Sequence, residues 1–198
     1  MEKIVWKVID HLNDTMDEIN IEDRFDGYES NGIFKNARLL WDTTEVYIQS
    51  PGDKQRNKNY NSGKKRRHTL KYDIGVRPKD GKICWIGNQS PGRVADITIY
   101  RHSELPDILE EDEFFLADAA LQGIYNAVVP FRCPKSYEEE LFNYRIDSKR
   151  AIVEQVFSRI KKFGVMDSVW RHDLAKHEKV AFVVANLYNV SIKYSPIF

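Results

Sequence analysis

An α/β fold, with a mixed sheet flanked by helices, is what this 198-residue sequence predicts. Three observations predict it. Three β-like runs follow one another between residues 39 and 88, two short apolar runs come after a helical stretch, and long helical periodicities close the chain. The length suits one domain with a real core, and 42% apolar with 12% aromatic residues argues against wholesale disorder.

Residues 1–20 read as an amphipathic helix, with Ile4, Val5, Val8, Ile9 and Leu12 at helical spacing. Residues 21–36, polar and carrying Gly27 and Gly32, read as a linker, so residues 1–36 are expected to precede a domain over 37–198. Leu39 to Ile48 is rich in β-branched and aromatic residues and ends at the turn signal Ser50-Pro51-Gly52. The basic segment 53–67 reads as a loop, 68–76 as a second strand, 77–81 as a tight connection and 82–88 as a third strand, giving an antiparallel meander.

Ser90-Pro91-Gly92 breaks the pattern, and 94–102 is helical in rhythm. Glu113 to Asp118 is short and apolar enough for a buried strand, and Val128-Val129 for a very short fifth. Ser136 with Glu139 forms a capping box for a helix running to Lys162, with Gly164 as its expected C-cap. A last helix is expected over 173–190. Three antiparallel strands followed by helix-separated parallel ones give the order of a ribonuclease H-like mixed sheet. In such a sheet the first and fourth strands are neighbours, and acids on them converge.

Net charge is zero, which argues against a dedicated nucleic-acid coat protein, but the charge is segregated. No acid interrupts Lys54 to Tyr72, and a local basic segment can still hold a polyanion. Lys64, Lys65, Arg66 and Arg67 also resemble a nuclear-import run, so a nuclear location, or a cytoplasmic one with import, is expected. Cys84 and Cys133 match no metal-ligand spacing and point to a reducing compartment. No secretion signal or membrane-length apolar window stands out.

Four acids sit on or beside apolar elements: Asp42, Asp96, Asp118 and Glu154. Buried acids are costly unless a cation compensates them, and Mg²⁺ or Mn²⁺ would do so. Each acid has an ordinary alternative. Asp42 could be an edge-strand residue, Asp96 a solvent-facing helix residue, Asp118 a helix N-cap, and Glu154 part of a surface ladder with Arg150 and Lys161.

The segments LLWDTTEVYIQSP, SGKKRRHTLKYDIGV, SPGRVADITIYRHSEL, FFLADAALQG and SKRAIVEQVFSRIKKF together resemble the DDE-superfamily endonucleases over roughly residues 38–190. The PIF/Harbinger-type transposases and their domesticated relatives are the nearest group in this resemblance. Asp118 and Glu154 are 36 positions apart, similar to the superfamily's last Asp–Glu separation, and Arg150-x3-Glu154-x6-Lys161 resembles the Arg-Glu-Lys signature of related insertion-sequence transposases.

The resemblance implies a two-metal nuclease or strand-transfer site. Asp42, Asp118 and Glu154 are the catalytic ligands, Asp96 is a further metal acid, and Arg150 and Lys161 contact DNA phosphate or orient Glu154. It also implies Mg²⁺ or Mn²⁺ as cofactor, DNA as partner, assembly on DNA, and a separate recognition protein if this is a catalytic fragment. Two departures stand out: Ala119-Ala120-Leu121 replaces a Gly-Tyr pair, and Asp147 replaces a tyrosine. They keep open a catalytically silent, domesticated descendant that binds nucleic acid or protein.

Overall fold

The computed structural model describes residues 2–26 and 33–197; Gly27 and Gly32 of the expected linker lie outside the described residues. Helix α1 (Glu2–Thr15) is followed by a 3₁₀ turn, Ile21–Phe25, where the sequence suggests only linker. Asn20 starts that turn by accepting from the Glu22 N–H at 3.0 Å. The central sheet comprises β1 (Ala37–Tyr47), β2 (Thr69–Val76), β3 (Ile83–Ile86), β4 (Ser90–Pro91), β5 (Phe114–Leu116) and β6 (Ala127–Val128). Its order is β3-β2-β1-β5-β6, with β4 also paired to β2. The strands β1, β2 and β3 are antiparallel neighbours, while β1, β5 and β6 run parallel.

Strand β1 is therefore central, and its side chains alternate into two cores. Leu40 and Val46 join the core covered by α5 (Tyr137–Ile160), α6 (Gly164–Asp167) and α7 (Leu174–Tyr194). Leu39 and Trp41 join the core under α3 (Asp96–His102) and α4 (Leu105–Ile108). The edge-strand alternative for Asp42 falls with this placement.

Three expectations are corrected. The basic segment is not all loop: Lys54–Tyr60 form helix α2, because Asp53 Oδ1 accepts from the Gln55 N–H at 2.6 Å and so caps a first turn of the good helix formers Lys54, Gln55 and Arg56. Ser90-Pro91 does not merely break the pattern; it pairs with Lys71 and Leu70. Gly164 does not cap the long helix: Lys161 does, and Gly164 opens α6 instead. The Ser136 cap holds, its hydroxyl accepting from the Glu139 N–H at 3.3 Å.

Two buried carboxylates hold the sheet in place. Asp73 on β2 accepts from the indoles of Trp85 (2.8 Å) and Trp41 (3.4 Å), and burial pushes its pKa up. Gly87 closes over it so tightly that a Cβ there would stand 1.9 Å from Asp73 Oδ1, so any side chain at 87 would force that carboxylate to move. Glu113, just before β5, grips Arg24 of the 3₁₀ turn with two bonds, 2.7 Å to Nε and 3.2 Å to Nη2, both side chains being almost fully enclosed. Removing one partner of such a pair strands a charge, at a cost of about 3–5 kcal/mol. Glu113→Ala is accordingly expected to lower the unfolding free energy by about 3 kcal/mol or more in urea titration, whereas Glu22→Ala, which removes Arg24's exposed partner, changes it by less than about 1 kcal/mol.

Candidate active site

The parallel register of β1 and β5 pairs Leu40 with Leu116. Two residues beyond each leucine, on the same side of the sheet, come Asp42, still on β1, and Asp118, just past the end of β5. Both aim toward α5, where Arg150 meets them. A single guanidinium nitrogen, Nη2, lies 3.3 Å from Asp42 Oδ2 and 3.4 Å from Asp118 Oδ2. Asp118 also caps the 3₁₀ turn Ala119–Leu121, its Oδ1 accepting from the Ala120 N–H at 3.1 Å. The cap and the site roles therefore coexist, one oxygen to each.

Asp42 is the more enclosed of the two, with 21% of its side chain exposed against 53% for Asp118. Burial raises its pKa first. The Thr43 N–H, 2.7 Å from Oδ1, and the Arg150 charge pull it back, while Asp96 and Asp118 push it up again, and the net shift is upward. Asp42 thus feels both of the other acids.

Asp96 nevertheless faces the other side of the sheet. Its Oδ1 accepts from Lys71 Nζ at 2.9 Å and from Thr43 Oγ1 at 3.0 Å, and Lys71 also donates to the Val94 carbonyl at 3.0 Å. Neither Lys71 nor Thr43 is marked out by spacing or motif in the sequence. The signal was present in the alternation of β2, which places Lys71 and Asp73 on one face, and Asp73 opposite Thr43.

Glu154 is exposed, one helical turn beyond Arg150 on the same flank of α5. Arg150 turns toward the aspartates instead of forming the ladder with Glu154, with Asp147 at 4.0 Å as a further acidic neighbour. Among the described residues no three His, Cys, Asp or Glu side chains converge closely enough to hold an ion together. The two aspartates do suit one. Their donors are hard carboxylate oxygens facing a shared cation position, and magnesium-type ions are commonly held by one or two carboxylates completed by substrate phosphates.

The basic residues gather further along. Lys64, Lys65, Arg66 and Arg67 occupy a tight turn closed by Ser62 N–H to the Arg67 carbonyl (2.9 Å) and Arg66 N–H to the Ser62 carbonyl (2.8 Å). Arg66 takes φ 51°, unusual for a non-glycine residue, and the Arg67 guanidinium lies 5.5 Å over the Tyr47 ring. Lys161 is close enough to feel two of them: burial lowers its pKa first, and the Lys65 and Lys64 charges lower it further.

Residues 41–189 match the DDE superfamily endonucleases, a span that takes in Asp42, Asp118 and Glu154. The chain belongs to that family. This DDE-family domain is also 26% identical, over 164 residues, to a probable transposase for insertion sequence element IS702 of Microchaete diplosiphon. That alignment takes in 78% of this chain and 57% of the relative, so the chain spans little more than half the length of the curated protein it matches. No solved structure matches it.

The raised pKa of Asp42 makes a signed prediction. A carboxyl that binds its proton more tightly when folded contributes stability below its unfolded pKa, and that contribution is lost as pH rises through the folded value. Asp42→Asn should therefore raise the thermal midpoint of this DDE domain at pH 7. The gain should shrink on acidification and vanish below the unfolded carboxyl range, as followed by circular dichroism melts across pH.

Proposed function

We propose that this domain is the catalytic part of a divalent-metal-dependent DNA endonuclease or transposase, built on a ribonuclease H-like sheet. The observation that carries the reading is the meeting of Asp42 on β1 and Asp118, just past the end of the adjacent parallel strand β5, at one cation position. The PIF/Harbinger-type motifs, and the likeness to an insertion-sequence transposase, both support DNA as substrate. Asp42 and Asp118 would hold Mg²⁺ or Mn²⁺ between them, and Glu154 would complete the set by turning inward from its place one turn beyond Arg150. Two such ions, when bound, supply an activated water or 3′-hydroxyl and stabilisation of the leaving oxygen in phosphodiester cleavage or transfer.

The protein's own part is placement. Thr43 fixes Asp42 through its backbone N–H, Ala120 fixes Asp118, and Lys71 and Thr43 hold Asp96 on the far face. Because it lies on the far face of the sheet, Asp96 serves this reading better as a support beneath Asp42 than as a direct ligand. The turn from Lys64 to Arg67, with Lys161, would track the DNA backbone without reading bases.

A second reading, a silent descendant that only binds nucleic acid or protein, is favoured by one observation: Glu154 stands apart from the aspartates in an exposed position. Calorimetric titration with Mn²⁺ separates the two, because the silent form need not retain metal affinity.

Asp118→Asn is expected to reduce Mn²⁺-dependent nicking of DNA by about a thousandfold or more while the melting curve stays cooperative, since a ligand charge is lost and the shape kept. Undiminished nicking by that variant removes Asp118 from the chemistry. Lys64→Ala with Lys65→Ala should weaken DNA binding for every sequence tried. It should also flatten the dependence of log affinity on log salt by about 0.9 for each phosphate that the lysines no longer neutralise.

A further inference from the structure

We infer that Arg150 is a stand-in cation. In the metal-free domain its guanidinium offsets part of the charge of the Asp42–Asp118 pair, and a divalent ion entering between those carboxylates displaces it toward a DNA phosphate. The inference rests on the metal-dependent reading above.

The geometry of Arg150 is that of a charge held loosely. Charge-assisted N–H···O bonds normally measure about 2.7–2.9 Å, whereas Nη2 is shared between two acids at 3.3 and 3.4 Å. The planar fork of an arginine is suited to gripping one carboxylate with two parallel bonds. Here one nitrogen serves both acids, Nη1 reaches Asp147 only at 4.0 Å, and Nε is buried with no hydrogen-bond partner among the described residues. Lys71 offers the contrast within the same sheet. It makes bonds of 2.9 and 3.0 Å to Asp96 and the Val94 carbonyl, as a cation built in for good would.

Charge favours the exchange. Two carboxylates and one guanidinium leave a net negative charge, which a doubly charged ion would cancel. Such an ion coordinates oxygen at about 2.0–2.1 Å and cannot share the space between these oxygens with a guanidinium. Arg150 also sits on the same helical flank as Glu154, so its departure clears the path along which Glu154 would turn in. Its displaced donors would then be free for phosphate, which ties phosphate contact to prior metal binding.

The test is Mn²⁺ titration of the whole chain without DNA. Competition between two cations for one site is a coupling between them, commonly worth about five- to 150-fold in affinity. Arg150→Gln is therefore expected to bind Mn²⁺ about tenfold more tightly than wild type, and Arg150→Lys to stay near wild type. If wild type binds Mn²⁺ and Arg150→Gln binds no tighter, the stand-in role is overturned while the metal reading survives. If wild type, Arg150→Gln and Arg150→Lys all fail to bind, both fall. A measurement on the unaltered protein covers the case of a variant that does not fold. The Arg150 side-chain N–H signal in nitrogen-15 NMR should move toward that of a free guanidinium at saturating Mg²⁺, and an unmoved signal at saturation overturns the inference.

Discussion

Two aspartates that repel each other, one on β1 and one just past the end of the parallel strand β5, joined through one guanidinium, are the constraint to which the rest of this domain is fitted. Asp42 can be half enclosed only because β1 is the central strand, walled by β2 and β5 and roofed by α5. Asp118 can reach it only because β5 runs parallel to β1 with Leu116 beside Leu40. Arg150 can bridge them only because Ile146, Ile152, Val153, Val156 and Ile160 fasten α5 to the domain along one stripe. Packing that looks purely structural therefore sets the distance between two charges.

The opposite face carries a second layer of charge. Asp96, Lys71 and Thr43 form a bonded trio, and Thr43 belongs to both layers, its backbone bound to Asp42 and its hydroxyl to Asp96. Beside them Asp73 is held between Trp41 and Trp85, and Trp41 directly precedes Asp42 in the chain. A strand that must present an acid at a fixed height is thus braced from beneath by groups that never reach the site. Burial raises the pKa of both Asp42 and Asp73, so part of the domain's stability is given up to keep them where they are.

Much of this was legible in the sequence, and the illegible parts share a cause. The β-branched and aromatic residues of Leu39 to Ile48 announced β1, a second strand was legible over 68–76, the apolar run from Glu113 to Asp118 announced a buried strand, and Ser136 with Glu139 announced the start of α5. Asp42, Asp118, Glu154 and Arg150 emerged from spacing and family likeness. What stayed hidden depended on register or on a single cap. The double contact of Arg150 follows from how β5 slides against β1, which no local window contains. The face on which Asp96 lies depends on where α3 begins. Helix α2 hangs on the Asp53 cap, easily overlooked among asparagines and lysines that also suit a loop. Gly164 looked like a terminator because glycine usually ends helices, whereas here the chain had already turned at Lys161.

The grip of Arg24 on Glu113 has a consequence for how this chain can be divided. Arg24 comes from the segment before β1, and Glu113 immediately precedes the strand that delivers Asp118. The same N-terminal region is laced to α7 through Glu18, whose N–H and carbonyl bond to Asn186 and Asn189. A trimmed version starting at residue 37 would leave an orphaned negative group enclosed at the root of the Asp118 strand. Residues 2–25 behave less like a detachable leader than like a splint, and a minimal stable fragment has to retain them.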